Sequence, residues 1–126
     1  MAGAERFEVE STSGAEQDRV VRLRVPEGSR FFEGHFEGRP MLPGVAQVVA
    51  MAHREAERVF GPLGVPRRMS RMKFTEVILP GDALSLSLSR DRAGTESLVR
   101  FRIERLLPEG PRVASTGTIA YGIDET

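Results

Sequence analysis

The sequence predicts an α+β domain in which one antiparallel sheet wraps around a single long central helix. Three observations carry this expectation. Apolar residues alternate in several short runs, brief Gly-, Pro- and Asp-rich turns join those runs, and only one stretch keeps a helical period long enough to cover a sheet. With 126 residues, the chain suits one domain, residues 1–126, with a modest core.

The elements follow in order. Arg6–Ser11 (RFEVES) is a short strand candidate, and Gly14–Asp18 (GAEQD) is a turn. In Arg19–Pro26, Val21, Leu23 and Val25 share one face while Arg22 and Arg24 take the other. Val45–Phe60 is the helix, about 24 Å long at about 1.5 Å per residue. With Val49 at the centre of a helical wheel, Val45, Val48, Ala52, Ala56, Val59 and Phe60 fall on one side. Arg54, Glu55 and Arg58 fall on or toward the other, so Val49 is expected in the middle of the buried face. A loop, Phe60–Arg68, leads to a long strand over Met69–Leu79, closed by the turn Pro80–Asp82. Ala83–Arg90 alternates strictly, with Leu84, Leu86 and Leu88 opposite three serines. After the turn DRAGTE, Ser97–Leu107 places Val99, Phe101 and Ile103 on one face, and Arg112–Ile123 is the last strand. Short turns between successive strands imply antiparallel pairing. A sheet this small leaves open edges, and pairing two copies is a common remedy, so a homodimer or higher oligomer is expected.

Composition narrows the function. The 18 basic and 18 acidic residues cancel, which gives no argument for nucleic acid or a membrane surface as partner. There is no cysteine, so disulfide and thiolate chemistry are excluded. No apolar run approaches about 20 residues, and the N-terminus lacks the apolar segment of a signal peptide, so a soluble cytoplasmic protein is expected. Two histidines and scattered carboxylates show no metal-ligand spacing, and no metal or cofactor is expected.

The chemistry concentrates in Phe31–Arg58, FFEGHFEGRPMLPGVAQVVAMAHREAER. Pro40 and Pro43 fix the backbone at two points, and Gly34, Gly38 and Gly44 permit conformations other residues resist. Gly44 opens the helix, where unpaired N–H groups and the positive end of the dipole can polarise a carbonyl. His35 lies nine residues earlier. A base beside a carbonyl polariser is the apparatus for removing a proton next to that carbonyl. Spacing alone equally allows a loop histidine that hydrogen-bonds backbone.

FFEGHFEGRPMLPGV strongly resembles the motif of the 3-hydroxyacyl-ACP dehydratase family of the hotdog fold, and RMKFTEVILPGDAL resembles that family's later strand, with its Lys-Phe pair before a P-G-D turn. The form LPGVAQ resembles the branch associated with aryl-polyene-type biosynthesis. The resemblance covers about Phe31 to Leu88 by motif and the rest by strand order. It implies a hotdog dimer, a thioester substrate on acyl carrier protein or CoA, His35 as catalytic base, and the Gly44–Val45 amides as holders of the thioester carbonyl. Phe36 and Val49 complete the expected acyl-binding set. The side chain at position 49 would reach the other protomer's His35.

Two departures stand out. The family carries Glu or Asp five residues after the Gly of P-G, where this chain has Val49, which cannot donate a proton. The family also has Pro after His-Phe, where this chain has Glu37. His53, one turn beyond Val49, is a substitute acid as an imidazolium, with a half-buried helix histidine held by Glu57 as the plainer alternative. Glu33 and Glu37 flank His35 as further candidates, and His35 alone can take the proton and return it. Arg67, Arg68, Arg71 and Lys73 are either a docking patch for an acidic carrier or a charge-protected strand edge. Met41, Met51, Met69 and Met72 either line an acyl tunnel or belong to the core.

Three functions follow. The first is dehydration of a 3-hydroxyacyl thioester to the 2-enoyl product. The second is a hotdog thioesterase, for which Val49 also lacks the group that would activate water. The third is a non-catalytic acyl-binding or scaffold subunit. The first is favoured.

Overall fold

The computed structural model describes residues 7–27, 44 and 46–122. Among these residues six strands form one sheet: β1 (Glu8–Ala15), β2 (Asp18–Arg24), β3 (Val65–Phe74), β4 (Ala83–Ala93), β5 (Glu96–Leu107) and β6 (Gly110–Gly122). Their order is β1-β2-β4-β5-β6-β3, and every pairing is antiparallel. The alternation in β4 does what its pattern implies. Leu84, Leu86 and Leu88 are buried, and across the ladder Val21, Leu86 and Ile103 stand in one register row on the core face. The helix between β2 and β3 covers this face, with Ala46, Ala52 and Ala56 bringing its backbone close to the sheet.

The helix is not uniform. Ala46–His53 is a π-helix, and α1 (Arg54–Phe60) continues it as an α-helix. An i→i+5 ladder turns by roughly 80° per residue, against about 100° in an α-helix. Counted that way, Ala46, Gln47, Val48, Met51, Ala52, Glu55 and Ala56 share one half of the surface, and these are the buried residues of the helix; Val59 within that half, and Ala50 and Phe60 at or beyond its edges, are partly buried against the core. The wheel drawn at 100° throughout misplaces two residues. Val49, expected at the centre of the buried face, is 47% exposed, and Glu55, expected outside, is 6% exposed and paired with Arg58 at 2.6 Å. The π segment is the physical reason for both corrections.

The helix end is held by several groups. Gly61 N–H donates to Glu57 O at 3.0 Å, Arg19 donates to Val59 O at 3.3 Å, and Arg90 donates to Phe60 O at 3.4 Å. Two guanidinium groups on the last carbonyls also oppose the negative end of the dipole.

Strands β1, β3 and β4 differ most from expectation, β4 by running on from Arg90 to Ala93. β1 runs on to Ala15, because Gly14 and Ala15 pair with Arg19 and Asp18 and leave only two residues for the turn. β3 starts at Val65 and ends at Phe74, earlier at both ends than Met69–Leu79. Pro66 is tolerated because β3 is an edge strand, and beyond Phe74 the N–H groups of Thr75 and Glu76 both turn to Ala114 O.

The P-G-D turn closes as expected. Asp82 N–H returns to Leu79 O at 3.1 Å, and Gly81 takes φ +83, the conformation a type II turn needs at its third position. The Asp82 carboxylate accepts from Leu79 N–H at 2.9 Å and from Arg105 at 2.9 Å, while Arg105 also reaches Glu76 at 3.1 Å. These side chains are mostly buried, and the hydrogen bond to Asp82 above all holds the Arg105 guanidinium in its charged form. Arg105→Ala leaves Asp82 with only the Leu79 N–H and Glu76 with only Arg112, and is expected to cost about 1–3 kcal/mol. The measurement is a urea melt, with a lowered midpoint and an unchanged slope.

Candidate functional site

The site begins where Gly44 opens the helix. The Phe74 ring at the end of β3 lies over it: a Cβ at position 44 would sit 3.1 Å from two ring carbons. The ring by itself calls for glycine at this position, and Phe74 joins the candidate site as a residue the sequence offered only as half of a Lys-Phe motif. The ring is half exposed, and Met69, Val77 and Leu79 are exposed apolar residues on β3 or in the segment after it. His35, Phe36 and Val45 lie outside the described residues, as do Glu33, Glu37 and Met41.

His53 belongs to a different cluster. Its Nδ1 is 2.7 Å from the Tyr121 hydroxyl, the two rings stack at 5.5 Å and 21°, and Nε2 is 3.5 Å from Glu57. The expected Glu57 contact is present; Tyr121 is new. It stands on β6, 68 residues from His53, and no local pattern pointed to it. Tyr121 is fully buried, and burial first, then the Glu57 charge, pushes its pKa well above the ordinary tyrosine value. The Tyr121 hydroxyl and Nδ1 share one hydrogen bond, and Nε2 faces Glu57. The structure thus joins Gly44 with Phe74 at one end of the helix and His53 with Tyr121 and Glu57 farther along. His53, nine positions after Gly44, has Tyr121 and Glu57 as its partners.

Val49 stands between these clusters on the exposed side. Met51 is core, and Met72 packs against the core. Of the basic residues on β3, Arg68 is held by Glu96 in a two-bond pair at 2.7 and 2.8 Å, which raises the pKa of Arg68 and lowers that of Glu96. Arg67, Arg71 and Lys73 are exposed. Among the described residues no helix is long and apolar enough to cross a membrane.

The comparisons with known proteins agree with this architecture. The ApeI-like family model, described as ApeI dehydratase, matches residues 10–117. The 3-hydroxyacyl-[acyl-carrier-protein] dehydratase FabZ of Streptococcus suis (strain 98HAH33) is 31% identical over 115 residues, 85% of this chain and 79% of that protein. The protein of the same name from Caldanaerobacter subterraneus subsp. tengcongensis is 36% identical over 83 residues, 60% of this chain. The match spans 59% of that relative's own length. Among solved structures, a chain of the dehydratase heterocomplex ApeI:P from Xenorhabdus doucetiae superposes with a TM-score of 0.77 at 26% identity, covering 90% of this chain and 96% of that one. The antiparallel sheet around one helix is the hotdog fold.

Proposed function

Since this chain belongs to the ApeI-like dehydratase family, we propose that it removes water from a 3-hydroxyacyl thioester, carried on acyl carrier protein or CoA, to give the 2-enoyl thioester. One observation carries the proposal: the family match runs through the whole loop-and-helix motif, from before His35 to beyond the P-G-D turn.

In this reading the amides at Gly44–Val45 hold the thioester oxygen as negative charge develops on it. His35 takes a proton from C2, the C3–O bond breaks, and the hydroxyl leaves as water after receiving a proton. Phe36, Val49 and Phe74 border the acyl chain. Val49 supplies apolar surface and no proton. His35, once protonated, returns its proton to the leaving hydroxyl. His53 is the other imidazole, and as donor it would have to draw on a ring whose two nitrogens face Tyr121 and Glu57. That geometry favours His35 for both steps.

Two copies form the working unit in this proposal. The edge strand β3 and the exposed side chains Met69, Phe74 and Val49 supply an apolar surface that a second copy would cover, setting position 49 of one copy toward His35 of the other. Arg67, Arg71 and Lys73 would meet an acidic carrier. We place the protein in the cytoplasm. A non-catalytic acyl-binding subunit is the second reading, favoured by Val49 in place of a carboxylate. The solved relative belongs to a dehydratase heterocomplex, and a partner chain would suit that second reading.

The test is incubation of the purified protein with a 3-hydroxyacyl thioester, followed by mass spectrometry. Loss of one water supports dehydration. Free acid indicates a thioesterase, and unchanged substrate with retained binding indicates the subunit reading.

A further inference from the structure

We propose that Tyr121 is the positioning residue for position 49: by holding His53 against β6, it keeps Ala46–His53 in the π form, and the π form turns position 49 away from the sheet. The importance of position 49 rests on the function proposed above; the helical register does not.

A π-helix of this length is uncommon, and such segments tend to occur where function requires them. Here two contacts with the sheet bracket it. At the start, Gly44 lies under the Phe74 ring of β3. At the end, His53 is bonded to and stacked on Tyr121 of β6. The sheet therefore sets the angle turned between the two ends. From Ala46 to His53 that angle is roughly 560° in the π form and roughly 700° in the α form. With Ala46 held in the core, an α-helix would swing His53 off Tyr121 by roughly 140°. With the His53 end held, it would turn Val49 toward the sheet by roughly 80° and carry Ala46 outward. The observed exposures follow the π form, with Val49 at 47% and Ala46 at 4%.

Tyr121 is suited to the task. It is the only tyrosine in the chain and is fully buried, so its hydroxyl has strong reason to keep the His53 bond. Its raised pKa keeps the hydroxyl protonated and so able to hydrogen-bond. His53 is also the residue at which the π segment gives way to α1, with helical φ −64° and ψ −48°. A pin at that residue fixes the phase of everything before it.

The natural absence of cysteine allows a direct test. Val49→Cys and Ala46→Cys are made singly, and their alkylation by iodoacetamide is timed. In the parent background, Cys at 49, which opens to solvent in one copy and onto the substrate-accessible acyl site in the proposed pair, should react faster than Cys at 46, packed against the core, on the order of tenfold, because a buried thiol waits for local opening. Adding Tyr121→Phe keeps the ring and deletes the bond, and the ratio should fall to about one or invert. His53→Phe deletes the same bond from the other side and should give the same loss should Tyr121→Phe fail to fold. A ratio that stays near ten in either folded variant overturns the proposal, as does a parent ratio below one. If the ratio falls and dehydration by the parent helix and by Tyr121→Phe is equal, the register stands and the placement of position 49 at the substrate is wrong.

Discussion

Val49→Glu is expected to raise the rate of dehydration by about 10²–10⁴-fold, the usual contribution of a positioned general acid. The argument starts with burial. Val49 lies on the exposed side of the π segment within one copy, so a carboxylate there displaces nothing from the core of the fold. It would stand five residues beyond Gly44, where the resemblance places the family's acid. With the carboxyl protonated near the leaving hydroxyl, C3–O cleavage no longer waits for His35 to return its own proton. The measurement is the single-turnover rate of 2-enoyl thioester formation by the variant and the parent. An unchanged rate would mean that position 49 does not face the substrate.

His35→Ala is expected to lower the same rate by at least about 10²-fold, with KM changed far less, because the imidazole acts on the proton in flight and not on the resting acyl chain. In the proposed scheme one ring carries both transfers, so its loss removes both. His53→Ala is the control that separates the two histidines. If it costs as much as His35→Ala while the protein stays folded, the donor is His53. If His35→Ala leaves turnover unchanged, the catalytic reading fails and acyl binding takes its place.

Much of the fold was legible because its signals are local. Leu84, Leu86 and Leu88 opposite serines can pair only one way once one face is buried, and Pro80-Gly81 dictates its turn. β3 was harder to place, since Pro66 reads as a loop signal and only its position at a sheet edge makes it harmless. The helix was legible in extent and not in phase. Nothing in AQVVAMAH distinguishes 80° from 100° per residue, because the choice is made by Phe74 and Tyr121, which reach the helix from distant strands. Val49 and Glu55 were misplaced for that single reason. The candidate site divides similarly. Gly44 and its loop show themselves as a motif, and His53 with Glu57 as an i,i+4 pair. The rings that hold these residues, Phe74 over Gly44 and Tyr121 on His53, come from tertiary contact alone.

The central claim is the reversible loss of water between C2 and C3 of an acyl thioester. Its most direct test is run backward, by incubating the protein with a 2-enoyl thioester in oxygen-18 water and locating the label by fragment mass spectrometry. The account predicts one labelled oxygen on C3 of an intact thioester, lost in His35→Ala. Label in the carboxylate of a free acid, or no label after complete binding of the thioester, would contradict it.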